Sequence, residues 1–353
     1  MATIDEEKLM EFMGRAVSDM AAAISIELMT IGDKLGLYKA MAGAGPLTSR
    51  QIADRTSTSE RYVREWLNNQ VAGGYIIYDP ALTTYALPDE HALALADEDS
   101  PVFLGGAFDL MAACWDSEDR IIDAFRTGEG VGWHEHHPRL FAGTERFFRP
   151  GYKANLTTAW IPSLDGVEAK LESGALVADI GCGHGASAII MAQAYPNSRF
   201  HGFDYHEASI DTARKRAVEA GVADRVQFDV ASAKKFDGRA FDLVCFFDCL
   251  HDMGDPLGAA VHAREALAAD GTVLLVEPYA NDALEENINP VGRMFYAAST
   301  LLCTPASLSQ EVGTALGAQA GEERLRQIFT EAGYRTFRRA TETPFNLVLE
   351  AKP

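Results

Sequence analysis

The stretch ALVADIGCGHGASA, residues 175–188, constrains the fold more than any other part of this sequence. An apolar run reaches Asp179, and alternating glycines follow at Gly181, Gly183 and Gly185. A glycine permits a tight turn and lets another group approach the backbone closely. Three explanations are therefore open. The loop holds a dinucleotide, it holds another adenosine cofactor, or its glycines only make a tight turn.

From Gly174 onward, short apolar runs alternate with segments of helical periodicity. Seven runs have the composition of strands: 175–181, 198–205, 225–231, 241–250, 271–278, 334–340 and 345–351. This alternation predicts an α/β fold with a Rossmann-like, doubly wound, mainly parallel sheet of seven strands. The ligand of such a sheet binds at the carboxyl ends of the strands, where the glycine loop lies.

The spacing of the glycines distinguishes between cofactors. A dinucleotide fingerprint is GxGxxG, and its third glycine would fall on Ala186. The GxGxG loop, with Asp179 two residues before its first glycine, resembles motif I of the class I S-adenosylmethionine-dependent methyltransferases. The resemblance implies S-adenosylmethionine as the cofactor and S-adenosylhomocysteine as the product.

Further cofactor contacts are expected at the ends of the next strands. Asp204 ends the second strand, where a carboxylate accepts hydrogen bonds from ribose hydroxyls; the alternative is a helix N-cap. Ser232 falls where the family often has an acid near the adenine amino group, and the nearby Asp229 is a substitute. The other expected contacts are Tyr205 and His206 beside the adenine, and Phe247 and Asp248 at the methionine end.

The segment CLHDMGDP after the fourth strand resembles the LHDWSD segment of the plant-type small-molecule O-methyltransferases. That resemblance implies that His251 is the general base and that Glu277, after the fifth strand, orients it. The family's second supporting acid aligns with Gln319, which cannot offset the charge of the ring. The alternative for His251 is a loop histidine that only satisfies backbone groups.

Two further segments are candidates for the acceptor site. Trp133 and His134, in WHEHH, are expected to line a substrate cavity. A metal site there is the alternative, but the spacing is not HExxH, so no metal is expected. The pattern at residues 289–303 predicts a helix that covers the acceptor site. The alternative is that this helix only packs in the core. The substrate candidates on this helix are Arg293, Met294, Phe295 and Tyr296.

The first hundred residues predict a mainly helical winged-helix domain. Residues 5–44 have helical periodicity, and two further helices and a two-stranded wing follow. Residues 1–90 contain 13 acidic and 8 basic side chains, so DNA binding is disfavoured. We expect this domain to form a homodimer and to cover the substrate pocket.

Net charge, hydropathy and cysteine content argue against nucleic-acid-binding, membrane-spanning and disulfide-rich secreted proteins. The net charge of −20 disfavours nucleic acid as a partner, because a phosphate backbone would be repelled. No secretory leader and no apolar run of about 20 residues is recognised, so no membrane span is expected. Five scattered cysteines are typical of reduced thiols in a cytoplasmic protein.

Together, the sequence patterns and the resemblance predict three regions. These are a winged-helix dimerisation domain at 1–98, a helical linker and substrate cap at 99–170, and a methyltransferase domain at 171–353. The motifs WHEHH, GTERFFRPGY and FFDCLHDMGDP also resemble bacterial winged-helix methyltransferases often labelled transcriptional regulators. The predicted function is methylation of a small molecule at a hydroxyl. The alternatives are methylation at sulfur, nitrogen or carbon, and a regulator that senses the cofactor or a metabolite.

Overall fold

The computed structural model describes residues 4–238 and 240–353. The chain forms two compact units. One comprises the chain up to Ala112 together with Ala142–Pro150, and the other comprises Ala113–Phe141 and Gly151–Pro353.

The first unit has the predicted winged-helix order of elements. Its helices and strands are α1 (Glu6–Lys34), α2 (Leu37–Met41), α3 (Ser49–Thr56), α4 (Glu60–Ala72), β1 (Ile77–Asp79), β2 (Thr84–Ala86) and α5 (Asp89–Leu95). Thr48 caps α3 by accepting a hydrogen bond from the backbone amide of Gln51. Tyr38, Ile52 and Leu67 form the centre of a buried core beneath the antiparallel β1–β2 wing.

Helix α1 leaves much of its apolar surface exposed. Within its 29 residues, only Met29, Thr30 and Gly32 are buried. The exposed large apolar side chains of α1 are Leu9, Met10, Phe12, Met13, Val17, Met20, Ile24 and Ile31. A continuous apolar patch on a protein surface usually marks an interaction surface.

Helices α6 (Gly105–Asp116), α7 (Glu118–Thr127) and α8 (Arg139–Asn155) follow along the chain. The second unit is built on one seven-stranded sheet. Its strands are β3 (Leu176–Ile180), β4 (Arg199–Asp204), β5 (Val226–Val230), β6 (Phe241–Phe247), β7 (Leu267–Pro278), β8 (Thr336–Glu342) and β9 (Asn346–Lys352). The remaining helices are α9 (Val167–Ser173), α10 (Ala186–Ala194), α11 (Glu207–Glu219), α12 (Pro256–Ala266), α13 (Pro290–Ala298), α14 (Thr304–Leu308) and α15 (Gly321–Glu331).

The strand order confirms the predicted doubly wound sheet. The order is β5-β4-β3-β6-β7-β9-β8; the first five strands are parallel, and β9 is antiparallel to both of its neighbours. The chain reverses its direction across the sheet between β3 and β6, and this switch point is where such sheets bind their ligands. The glycine loop follows β3 and the segment containing His251 follows β6, so both lie at the switch point.

Two element bounds differ from the sequence prediction. The strand predicted at 271–278 starts four residues earlier, because α12 ends at Ala266 and β7 begins at Leu267. The helix predicted over 289–303 is divided, because α13 continues through one π-helical turn at Ser299–Cys303 into α14. Within the described residues, no helix combines the length and the apolar character needed to cross a membrane.

Candidate active site

The three loop glycines have different physical roles. All three have positive φ angles, which favour glycine. A Cβ on Gly181 would lie 2.9 Å from the Sγ of Cys249, and one on Gly185 would lie 2.6 Å from the Phe228 ring. A Cβ on Gly183 would have no atom within 4 Å. Packing therefore requires Gly181 and Gly185, whereas Gly183 faces open space that a bound group can occupy.

Asp179 is a buried carboxylate beneath this loop. Its Oδ2 accepts a hydrogen bond of 2.5 Å from the Ser187 hydroxyl, and its buried Oδ1 has no hydrogen-bond partner. Burial raises the pKa of Asp179 to about 7, although the hydrogen bonds from Ser187 and the Ala188 amide oppose the shift. A cationic ligand nearby would stabilise the ionised form.

Asp204 lies at the end of β4 beside the same loop. Its two carboxylate oxygens accept hydrogen bonds from the amides of Gly183, at 2.9 Å, and His206, at 2.8 Å. The carboxylate thus holds the glycine loop and the start of α11 in place. Each oxygen keeps a second lone pair for a ligand hydroxyl. Burial raises the pKa of Asp204 despite these bonds.

The residues expected beside the adenine differ in exposure and in whether their side chains already have a partner. The His206 ring stacks on Phe141 with centroids 4.6 Å apart, and its Nδ1 is 2.8 Å from the Ser209 hydroxyl. Tyr205 is 45 % exposed, so its ring is available for a planar partner. Ser232 is exposed after β5.

Asp229 is already paired within the sheet. Its carboxylate is 2.7 Å from the Nε2 of His201 and accepts a bond of 2.6 Å from the Gln227 amide. Arg214 adds an ion pair at 3.6 Å. These contacts give Asp229 a role in joining β4 and β5.

Asp248, directly after β6, adopts a left-handed backbone conformation with φ 49°. Its carboxylate accepts hydrogen bonds from the Tyr152 hydroxyl, at 3.0 Å, and from the Asn346 amide, at 2.9 Å. Burial raises its pKa to about 7. Tyr152 also packs against the neighbouring Phe247, with ring centroids 5.5 Å apart. Strain in a non-glycine residue held this firmly is typical of functional sites.

His251 and Glu277 form a buried pair, 4 % and 3 % exposed. The Nδ1 of His251 is hydrogen-bonded to the Glu277 carboxylate, whose other oxygen accepts a bond from the Leu250 amide at 3.0 Å. Burial alone would lower the pKa of His251, but the charges of Glu277 and Asp252 outweigh it and raise the pKa well above its usual value. The arrangement resembles a general base and its orienting acid.

The other ring nitrogen of His251 faces groups that the sequence did not single out. Its Nε2 lies 3.2 Å from the Oδ1 of Asp252. The thiol of Cys303, in the π-helical turn after α13, completes a cluster whose ligand atoms all lie within 4.8 Å of one another. Gln319 points elsewhere, since its amide donates to the carbonyl oxygens of Tyr279 and Ala318.

The predicted substrate residues fall into two groups. Trp133 is half-buried against the rings of His136 and Phe141, whereas His134 is exposed. On α13, Phe295 is buried, Tyr296 is half-buried and Arg293 is exposed.

A recess of about 440 Å³ adjoins the start of α13. Tyr279, Val291 and Thr343 are among its lining residues, and Tyr279 lies two residues beyond Glu277. This volume is within the range of small-molecule sites.

His184 is a site residue that the sequence analysis missed. It lies inside the glycine loop, where its Nδ1 is buried without a hydrogen-bond partner, and burial lowers its pKa to about 4. Its position between two of the alternating glycines could have identified it from the sequence as a candidate for cofactor contact.

Two family matches cover most of the chain. Residues 22–97 match the family described as Rv2258c-like winged HTH domain, and residues 171–333 match the family described as methyltransferase domain. No curated protein matches the sequence significantly.

Several solved structures share the fold over the whole chain. The mitomycin 7-O-methyltransferase MmcR is 17% identical, with a TM-score of 0.72 over 99% of this chain and 100% of that one. Human N-acetylserotonin methyltransferase in complex with S-adenosylmethionine is 18% identical, with a TM-score of 0.67 over 100% and 99%. An O-methyltransferase from neocarzinostatin biosynthesis, bound to S-adenosylmethionine and 2-hydroxy-5-methyl naphthoic acid, is 18% identical, with a TM-score of 0.65 over 100% and 99%.

The class follows from the fold and the family matches together. A winged-helix unit precedes a methyltransferase domain, and the glycine loop lies at the switch point of that domain's sheet. The chain is therefore a methyltransferase with an N-terminal winged helix. The methyltransferase interpretation is supported over that of a transcriptional regulator.

Proposed function

We propose that this protein transfers the methyl group of S-adenosylmethionine to a hydroxyl of a small molecule, with His251 as the general base. The buried His251–Glu277 pair at the switch point is the observation that carries the proposal. Methyl transfer to a hydroxyl requires a base for the departing proton, and a positioned imidazole supplies one.

The residues of the glycine loop fit the cofactor. Gly183 leaves open space for it, and Asp204 keeps lone pairs for ribose hydroxyls. Burial disfavours the ionised carboxyls of Asp179 and Asp248, and a cationic ligand would stabilise them in that form. When bound, S-adenosylmethionine supplies an electrophilic methyl group on a positively charged sulfur.

Glu277 determines which atom of His251 acts. It accepts the Nδ1 proton, so the neutral ring presents the lone pair of Nε2. Glu277 and Asp252 raise the pKa of His251, which favours a second proton on the ring. His251 must lose this proton before it can act as a base. We therefore expect activity to rise with pH through the raised pKa.

The recess beside α13 has the volume of a small-molecule site. The test is a screen of hydroxylated aromatic compounds with S-adenosylmethionine, followed by mass spectrometry of the products. His251→Ala is expected to lower kcat about 10²- to 10⁴-fold while cofactor affinity is retained. The matched control is His91→Gln, in the winged-helix unit. Turnover by His251→Ala at the wild-type rate would refute the role of the base.

We also propose that α1 joins two copies of the chain. The helix is about 44 Å long and exposes apolar side chains along its length, among them Met10, Val17 and Ile24. A second copy would bury the same patch symmetrically. Val17→Glu with Met20→Glu is expected to yield monomers in sedimentation velocity, whereas Glu11→Gln is expected to leave dimers. A wild-type monomer at micromolar concentration would contradict the proposal.

Arginines on α4 do not favour DNA as the partner of the winged helix. Arg61 pairs with Glu65 and Arg64 pairs with Glu60, all on the same helix. These pairs neutralise the side chains that would contact phosphates. We propose a cytoplasmic location, which the five free cysteines fit.

A further inference from the structure

His251, Asp252 and Cys303 place an imidazole, a carboxylate and a thiol around one point. Their ligand atoms, one from each side chain, all lie within 4.8 Å of one another. His251 and Cys303 are buried, whereas the Asp252 side chain is 23 % exposed and gives the cluster its access to solvent. The Oδ1 of Asp252 is 3.2 Å from the Nε2 of His251, so the carboxylate points into the cluster.

We propose that this cluster binds a thiophilic divalent cation such as Zn²⁺, Co²⁺ or Cd²⁺, through the Nε2 of His251, a carboxylate oxygen of Asp252 and the Sγ of Cys303. Nitrogen, oxygen and sulfur ligands of this kind suit zinc-like ions, and water completes a tetrahedral set. Tetrahedral ligands at about 2.0–2.3 Å from the ion lie about 3.5 Å from one another, so the ligand atoms must approach one another by about 1.3 Å at most.

The surroundings of the cluster support a metal site. Metal-binding histidines usually donate their other ring N–H to a carboxylate, which fixes the ring and its tautomer. Glu277 already holds the Nδ1 of His251 in this way, and the Leu250 amide fixes the second oxygen of Glu277. The π-helical turn Ser299–Cys303 presents the thiol to the ring, and such turns occur often at functional sites.

The charges of the cluster match a divalent ion. The Cys303 thiol would lose its proton to become a thiolate, and with the Asp252 carboxylate it provides two negative charges. His251 binds as the neutral ring, so its extra proton also leaves. Because metal binding releases these protons, binding is expected to strengthen as pH rises.

An ion bound here would occupy the lone pair that the proposed methyl transfer uses. It would therefore inhibit turnover competitively with the hydroxyl acceptor, a consequence that rests on the proposed function. The binding itself does not depend on methyl transfer. Spectroscopic binding therefore tests the site separately from the activity.

The experiment is a titration of the full chain with Co²⁺ in thiol-free buffer, followed by thiolate-to-cobalt charge-transfer absorption. We expect one equivalent to bind the wild type and the control Cys114→Ser, with the band absent in Cys303→Ser. Asp252→Asn is expected to keep the band and to bind at least about tenfold more weakly. It tests the cluster even where Cys303→Ser fails to fold.

Absence of the band in the wild type at about 1 mM Co²⁺ would overturn the proposal. An unchanged band in a folded Cys303→Ser, or unchanged affinity in Asp252→Asn, would overturn it as well.

Discussion

The buried Asp179 carboxyl makes a quantitative prediction about stability. Its pKa is raised from 3.8 to about 7, so the folded protein keeps a proton that the unfolded chain has lost. The stability of the wild type therefore falls as pH rises from about 4 to about 7, and this contribution is constant above pH 7. Asp179→Asn has no such titration. Each pH unit between 5 and 7 corresponds to about 1.4 kcal/mol.

The advantage of Asp179→Asn over the wild type is expected to be about 2.7 kcal/mol larger at about pH 8.5 than at about pH 5. Because Asp179 is 1 % exposed, solvent screening does not reduce this figure. The assay is urea unfolding at both pH values, followed by fluorescence, to which the buried Trp160 contributes. Asp224→Asn, at a surface ion pair, is the control. A stability difference that is the same at both pH values would refute the argument.

Two further predictions concern the glycine loop and the base. Gly183→Ala is expected to fold, with a loss of about 1 kcal/mol, and to lose cofactor affinity, whereas Gly185→Ala is expected to lose more than about 2 kcal/mol because its Cβ meets Phe228. Thermal unfolding and calorimetric titration would distinguish these outcomes, and retained cofactor affinity in Gly183→Ala would contradict the first. Glu277→Gln removes a charge that raises the pKa of His251, so the pH–rate profile is expected to shift to lower pH with a lower maximum. An unshifted profile would show that Glu277 does not control the protonation of His251.

The sheet could be predicted from the sequence because its information is local. Apolar runs that end in acids or glycines, as at Asp179 and Asp204, mark strands that meet a ligand at their carboxyl ends. The early start of β7 at Leu267 could not be predicted in this way. Residues 267–270 have no clear strand periodicity, and the pairing of Leu267 with Phe241 of β6 determines where β7 begins.

The partners within the site come from distant parts of the chain, so periodicity could not reveal them. Asp248 is held by Tyr152 and Asn346, 96 and 98 residues away. Cys303 lies in a π-helical turn and close to His251, and no spacing rule predicts this pairing. Resemblance alone aligned Gln319 with a supporting acid, whereas hydrogen bonds hold it at Tyr279.

The most direct test of the central claim is calorimetric titration of S-adenosylmethionine into the wild type and Asp204→Ala. The account predicts micromolar affinity for the wild type, on the order of −8 kcal/mol, and a loss of at least about tenfold in the variant. Gln227→Ala, on β5, is the matched control and is expected to bind like the wild type. Absence of binding to the wild type, or equal affinity in Asp204→Ala, would contradict the assignment of the glycine loop and Asp204 to the cofactor.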